Sequence, residues 1–339
     1  MLSRSLRQAL ALLFIVGLLP TGGLKAQESS LFELFGDSPI ATRGGVTDWY
    51  SDWNEPAGIV VHDEQFYLFW NGSGATDIKG IGYKSSHDGY EWTNRSHDAP
   101  LYTGADLDYV GSGVAGSSVL IDDGQWLSYF YTKDRNTFPM GGGDISRATS
   151  DSAEGPWQRS ESVLLARGSE GEWDAEQISY PEVLRTEDGY VMYFAGFMPS
   201  GATAIGMATS SDGIDWVKYD DPTTTEPPYA ESDPIIVGED SENATMPNVV
   251  ATDDGWVMIY KDNPTGNILL ALSEDGLHWE PQDRQVFGIR DIPRARAIGF
   301  MSLLHHEETF YLYVEVATVR GGTDIYLATY DGNFFEADS

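Results

Sequence analysis

The sequence predicts an all-β protein folded as a five-bladed β-propeller with four strands in each blade. Three observations lead to this prediction. A motif of the form Ser-x-Asp-Gly-x-x-Trp recurs, with two looser copies, about every 60 residues, which is the signature of a repeat architecture. Each copy follows segments that alternate apolar and polar residues around a turn. Helical periodicity is nearly absent, and only residues 29–36 suggest a turn or two of helix.

The repeated motif marks the hairpin that ends the third strand of each blade. Asp and Gly supply the turn backbone, and we expect the Trp to pack between neighbouring blades. The copies are SHDGYEW (86–92), TSDSAEGPW (149–157), SSDGIDW (210–216), SEDGLHW (273–279) and TYDGNFF (329–335). Five copies predict five blades, and a straight solenoid built from the same units is the alternative.

The strands before each motif follow from the apolar alternation. A short apolar strand leads through an acidic turn into an aromatic strand, as in VLIDDGQWLSYFY (119–131). A third strand such as GIGYKSS (80–86) precedes the motif, and a last strand follows the motif in four of the units. The fifth unit lacks that strand, whereas GDSPIATRGG (36–45) has the missing pattern. We therefore predict that residues 36–45 pair with the final blade and close the ring.

The beginning of the chain has the pattern of an export signal. Residues 1–26 combine two early arginines, an apolar run of about a dozen residues and a small-residue end, which is typical of a cleavable signal peptide. A membrane anchor is the competing interpretation, but a bilayer span needs roughly 20 apolar residues. We expect residues 27–339 to form a single domain that is secreted or periplasmic, with no integral membrane segment after signal cleavage.

Composition limits the partners of this domain. The chain has 53 acidic and 20 basic residues, a formal net charge of −33, and no cysteine. Such a surface repels nucleic acids and anionic membranes, and the lack of thiols excludes disulfides and thiolate metal sites. A neutral partner such as a carbohydrate fits better, and we expect the protein to be a monomer.

The candidate site lies where the innermost strands of the blades converge on the axis, because their leading ends form one funnel. Hydrolysis of a glycosidic bond needs two carboxyl groups, one protonated and one ionised. The acidic candidates at these ends are Glu55, Asp108, Asp174, Glu176 and Glu182. The candidates for substrate binding are Trp53, Asn54, Tyr180, Asn248, Arg294 and Arg296.

Glu55 is the strongest single candidate. It precedes a proline that opens the first inner strand, and it has Trp53 and Asn54 beside it for sugar stacking and hydroxyl binding. The alternative for each acid is structural, since a carboxylate at a blade entrance can bind backbone amides or face solvent. No contiguous calcium-binding loop is present, so we predict no cofactor, and a calcium ion on the axis stays an open alternative.

Two segments resemble known families. WNEPAGIVVHDEQFYLFW (53–70) resembles the first-blade signature of the β-fructosidase (invertase) family, Asn-Asp-Pro-Asn-Gly, and residues 112–132 resemble the second conserved block of that family. ATSDSAEGPW (148–157) resembles the arabinanase and β-xylosidase families. These families form one superfamily of five-bladed propellers. The resemblance implies a divergent glycoside hydrolase of this superfamily.

The sequence also departs from the fructosidase pattern. Glu55 stands where that family has its nucleophilic Asp, and SYPEV (179–183) stands where it has Arg-Asp-Pro, while residues 244–250 lack the Glu of its acid motif. We expect Glu55 to act as base or nucleophile and Glu182 or Glu176 as the acid. Asp108 or Asp174 would then raise the pKa of the acid by like-charge repulsion. A carbohydrate- or partner-binding propeller that has lost its acid is the alternative function.

Overall fold

The computed structural model describes residues 30–74, 79–104, 113–133, 143–238, 243–263, 265–319 and 321–336. Within these residues the chain forms five antiparallel sheets. The innermost strands contact one another in a closed cycle, so the five sheets are the blades of a ring and not steps of a solenoid. These strands are β2 (Trp53–His62), β7 (Gly113–Asp122), β11 (Gln177–Thr186), β16 (Ala244–Thr252) and β20 (Ala295–His306). The predicted five-bladed propeller is confirmed.

The second and third strands of each blade carry most of the core. The second strands are β3 (Gln65–Ser73), β8 (Gln125–Lys133), β12 (Gly189–Phe197), β17 (Gly255–Asp262) and β21 (Thr309–Thr318). The third strands are β4 (Lys79–Ser86), β9 (Ile145–Ser150), β13 (Thr203–Ser210), β18 (Ile268–Ser273) and β22 (Thr323–Tyr330). Alternate side chains point to the two faces of each blade, so the apolar clusters lie between adjacent blades.

The outer strands complete four blades from the chain that follows each hairpin. They are β5 (Thr93–Asn94) with β6 (Tyr102–Thr103), β10 (Gln158–Arg159), β14 (Val217–Lys218) with β15 (Pro234–Val237), and β19 (Glu280–Phe287). The last blade takes its outer strand from the N-terminal region, where β1 (Glu33–Leu34) and Ala41 pair with β22. Ring closure by residues 36–45 is thus confirmed at Ala41. The helical turn expected at 29–36 was wrong, because pairing with β22 gives Glu33 and Leu34 an extended backbone.

The repeated hairpins fasten each blade to its neighbour. In the copy at 273–279, the Gly276 carbonyl accepts hydrogen bonds from Trp279 Nε1 of the same blade, at 2.9 Å, and from Tyr193 Oη of the preceding blade, at 2.7 Å. The rings of Tyr193 and Trp279 meet edge to face at 5.6 Å. Tyr313 makes the same contacts with Gly89 and Trp92 across the seam of the ring. The predicted packing of the motif Trp between blades is confirmed.

The described residues contain a single short 3₁₀ turn, Ile289–Asp291, between the fourth and fifth blades. No helix among them is long and apolar enough to cross a membrane.

Candidate active site

All five inner strands carry a β-bulge near their leading end, and a small cavity lies where the bulges meet. The register shifts at Pro56/Gly58, Ala115/Ser117, Ser179/Glu182, Thr245/Asn248 and Ile298/Met301. A bulge bends a strand and redirects its side chains, which here brings one or more residues of every blade to the axis. The cavity has a volume of about 20 Å³, enough for a water molecule and too small for a sugar ring. The residues that line it are Pro56, Ala57, Gly116, Tyr180, Pro181, Glu182, Met246, Pro247, Asn248, Phe300, Met301 and Ser302.

Glu182 is the acidic residue that lines this cavity. It follows the bulge of β11, and its half-buried side chain is exposed to the cavity among apolar neighbours. Among the described residues no hydrogen bond or ion pair reaches its carboxyl group. Burial therefore raises the pKa of Glu182 well above the ordinary value of 4.5, because the protein disfavours the charged form and nothing compensates it. This carboxyl group keeps its proton at pH values where an exposed glutamate has lost it.

Two residues at the cavity have a strained backbone. Tyr180 and Met246 both adopt φ of 54°, in the left-handed region, and each precedes a proline. A side chain with a β-carbon is disfavoured in that region, and a following proline restricts the backbone further. Such strain persists only where the surrounding structure holds it, and it is concentrated at functional sites. In this protein the strained bulges place Tyr180 and Met246 in the cavity wall.

A layer of phenols and carboxylates adjoins the cavity. The rings of Tyr131 and Tyr180 lie 5.1 Å apart, and their hydroxyls share a hydrogen bond. Burial raises the pKa of Tyr180 above 10.0, and the nearby negative charges of Glu55 and Glu315 raise it further. Both glutamates are only 6% exposed. The phenols thus stay protonated between two buried carboxyl groups, one from the first blade and one from the fifth.

Polar residues just beyond the bulges tie neighbouring inner strands together. Asn248 Oδ1 accepts the Leu303 N–H at 3.1 Å, and Asn248 Nδ2 donates to the Met246 carbonyl at 3.2 Å. In another pair of blades, Ser118 Oγ accepts the Val183 N–H at 3.0 Å. Asn248, a candidate for substrate binding, thus lines the cavity, and its amide group holds the fourth blade to the fifth.

Trp53 and Asn54 occupy different environments on β2. Trp53 is 37% exposed, and Lys79 Nζ lies 4.8 Å from the centre of its ring. Asn54 has no exposed surface; its Oδ1 accepts from Lys84 Nζ at 3.1 Å, and its Nδ2 donates to the Ala41 carbonyl at 3.2 Å. The predicted binding of sugar hydroxyls by Asn54 does not fit this position, because both polar atoms bind the protein itself.

Several other candidates lie away from the cavity. Asp174 is completely buried and pairs with Lys218 at 2.5 Å, which gives it a structural position inside the third blade. Glu176 is exposed and is not among the cavity-lining residues, so Glu182 is the better placed of the two predicted acids.

Arg294 and Arg296 are also exposed and absent from the cavity wall. Asp108 lies outside the described residues.

Sequence reasoning missed three residues at the axis: Tyr131, Lys261 and Glu315. Each of them lies at the same position of the second strand of its own blade. Asn71 and Ala195 occupy that position in the first and third blades. Three of these side chains bind an inner-strand bulge: Asn71 Oδ1 accepts the Gly116 N–H, Lys261 Nζ donates to Ile298 O, and Glu315 Oε2 accepts the Phe300 N–H. A charged residue inside an apolar strand, as in YLYVEVA (311–317), was the available signal.

No group of three or more metal-ligating side chains comes together in the part of the chain that the structure describes. The axial calcium ion that the sequence left open stays an alternative, since backbone carbonyl and amide oxygens also bind calcium.

The chain folds as a five-bladed propeller with a small cavity on its axis, and known structures share this fold. A putative glycoside hydrolase from Bacteroides ovatus superimposes with a TM-score of 0.67 at 18% identity, over 87% of this chain and 95% of that one. A putative glycoside hydrolase from Parabacteroides distasonis gives 0.68 at 15% identity, over 90% and 97%.

A third structure comes from work on the GH130 family of mannoside phosphorylases, which contains glycoside hydrolases that target β-1,2-mannosidic linkages in Candida mannan. Its TM-score is 0.66 at 14% identity, over 90% of this chain and 95% of that one. No model of a known protein family matches the sequence, and no curated protein matches it. At these identities the similarity establishes the fold, and the resemblance to five-bladed glycoside hydrolases is confirmed at that level.

Proposed function

We propose that the protein is a glycoside hydrolase whose general acid is Glu182 and whose second carboxyl group is Glu55. The observation that carries this proposal is the state of Glu182: its carboxyl group faces the axial cavity, has no partner among the described residues and has a pKa raised by burial. A general acid has to hold its proton near neutral pH, and burial in an apolar pocket is the usual way of achieving that.

The two carboxyl groups have different roles in the reaction. Glu182 donates its proton to the oxygen of the leaving sugar as the glycosidic bond breaks. Glu55, in its ionised form, either attacks the anomeric carbon or removes a proton from the attacking water. The negative charge of Glu55 acts on Tyr180, and Tyr180 lines the cavity with Glu182, so Glu55 lies close behind the wall of the cavity that Glu182 lines.

The sugar binds at the mouth of the cavity and not inside it, because the cavity holds only a water molecule. Trp53 offers an exposed ring at the leading end of β2, two residues before Glu55. An aromatic ring presents a flat apolar face on which a sugar ring stacks. We further propose that the protein works as a monomer after export to the periplasm or the cell exterior.

The small cavity favours a second candidate, a carbohydrate-binding propeller that does not hydrolyse its ligand. In that case Glu182 would be sealed from the glycosidic oxygen, and the mouth with Trp53 would serve only for binding. The two functions share the same ligand class and differ only in turnover.

The test is hydrolysis of aryl glycosides and oligosaccharides of arabinose, xylose, fructose, galactose and mannose. We expect Glu182→Gln and Glu55→Gln each to lower kcat by about 10²- to 10⁴-fold, the usual contribution of an acid or base. Glu176→Gln tests the alternative acid, and Glu172→Gln is the matched control, a buried glutamate that accepts the backbone N–H groups of Ala230 and Glu231. Activity that survives in Glu182→Gln would overturn its assignment. Saturable sugar binding without hydrolysis would favour the second candidate.

A further inference from the structure

Two buried charges next to the axis have no part in the chemistry proposed above. Glu315 lies on β21 and Lys261 on β17, and both are less than a tenth exposed. A buried ionised group is costly unless it is paired or hydrogen-bonded, so a pair of them needs an explanation. Their contacts converge on a single feature, the bulge of β20 at residues 298–300.

The two side chains bind opposite ends of this bulge. Lys261 Nζ reaches from the fourth blade and donates to the Ile298 carbonyl at 2.7 Å. Glu315 Oε2 accepts the Phe300 N–H at 2.9 Å from within the fifth blade. The bulge takes Gly299 and Phe300 out of register with β21, and the two charges bind backbone groups on either side of Gly299.

Gly299 lies between Ile298 and Phe300, and the Glu315 carboxylate packs directly against it. A β-carbon at this position would overlap the Glu315 carboxylate. The bulge and the carboxylate are therefore closely packed against each other.

The bulge presents Phe300 to the axial site. The Phe300 ring lies 5.3 Å from the Tyr180 ring, at an interplanar angle of 68°, and both residues line the cavity beside Glu182. Tyr180 also has a left-handed backbone, which needs support from its surroundings. Phe300 supplies one side of this support and Tyr131 the other.

We infer that Glu315 is a positioning residue of the axial site: it fixes the bulge that holds Phe300 against Tyr180, and so sets the orientation of Tyr180 beside Glu182. Lys261 shares this function from the neighbouring blade. Neither residue touches the reacting atoms. Lys261 belongs to the fourth blade and Glu315 to the fifth. The junction of these two blades therefore determines the geometry of the axial site, although its acid, Glu182, belongs to the third blade.

The test uses the intact protein labelled with 3-fluorotyrosine, with the ¹⁹F resonance of Tyr180 assigned by its loss in Tyr180→Phe. Glu315→Gln is expected to shift the Tyr180 resonance, whereas the control Glu172→Gln is expected to leave it unchanged. If Glu315→Gln does not fold, Glu315→Asp replaces it, since it keeps the charge and withdraws the carboxylate from the Phe300 N–H. A Tyr180 resonance that is unchanged in the folded Glu315 variant would overturn the inference.

A second readout rests on the proposed function. If the protein hydrolyses a sugar of the panel, we expect Glu315→Gln to lower kcat by about tenfold or more with a change in KM below about threefold, as misplacement of a catalytic group does. Equal kcat in the variant and the wild type would contradict the inference. If the wild type hydrolyses none of the sugars, the proposed function fails, and the ¹⁹F measurement still decides the position of Tyr180.

Discussion

Replacing Glu182 by Gln should change how the stability of the protein depends on pH. The pKa of Glu182 is raised in the folded protein and returns to about 4.5 in the unfolded chain. Above pH 4.5 the folded state therefore binds a proton that the unfolded state has lost. By linkage, the free energy of unfolding falls as pH rises from 4.5 through the raised pKa, so the stability that this group contributes is complete only below 4.5.

The size of the effect follows from the same relation. One extra proton bound by the folded state changes the free energy of unfolding by about 1.4 kcal/mol per pH unit. This is the largest slope that one proton can give, and the exposure of Glu182 to the cavity narrows the pH range over which it applies, because solvent reduces the pKa shift. Glutamine has a similar shape and does not titrate, so the variant should lack this slope. Relative to the wild type it should gain stability as the pH rises from 4.5 toward the raised pKa of Glu182.

The assay is urea unfolding followed by tryptophan fluorescence at pH 5, 6 and 7, with equal m-values as the check that the same transition is compared. Glu187→Gln is the control, since it removes an exposed glutamate from the turn of the same hairpin. Its difference from the wild type should not vary with pH. Parallel pH dependences for the wild type and Glu182→Gln would refute the buried, protonated state of Glu182.

Three further variants test other parts of the structure. Tyr193→Phe should lower the free energy of unfolding by about 1 kcal/mol in urea titrations, because one hydrogen bond is lost while Gly276 O keeps a second donor. Burial lowers the pKa of Lys84, so as the pH rises toward 10.5 the unfolded chain binds the extra proton and the wild type should gain stability. Lys84→Met should remove this gain, and a slope unchanged in the variant would contradict the lowered pKa. Gly299→Ala should displace the carboxylate that overlaps its β-carbon, so adding it to Glu315→Ala should cost no further stability in the same urea assay. Additive losses would show that the two residues are independent.

The repeats made most of the fold predictable, because each copy carries its own turn and its own inter-blade contact. The Tyr193 and Gly276 pair is an example, since the same contact recurs at Tyr313 and Gly89. Even the closing strand could be predicted from the pattern missing in the fifth unit. The helical turn at 29–36 failed because its hydrogen-bond partners lie on β22, almost 300 residues away, and no local pattern reports them.

The site was less predictable, because bulges interrupt the alternation that assigns side chains to faces. Asn54 and Glu55 are neighbours in sequence, yet Asn54 binds Lys84 and Ala41 while the charge of Glu55 acts on the axial phenols. Glu182 and Tyr180 were among the candidates because they lie at the leading end of an inner strand. Glu315 was missed because one of its partners is the backbone of a different strand, which the sequence does not identify as a bulge.

The seam of the ring has a consequence for the order in which the protein folds. The Arg43 N–H donates to Asp324 across 281 residues of sequence, and Ala41 pairs with Ile325 in the same place. Contacts of such separation require the largest loop to close and form late compared with the hairpins inside each blade. Until they form, β22 presents an unpaired edge that another chain could occupy. Residues 33–43, which precede the first blade in the sequence, thus make the last contacts of the ring.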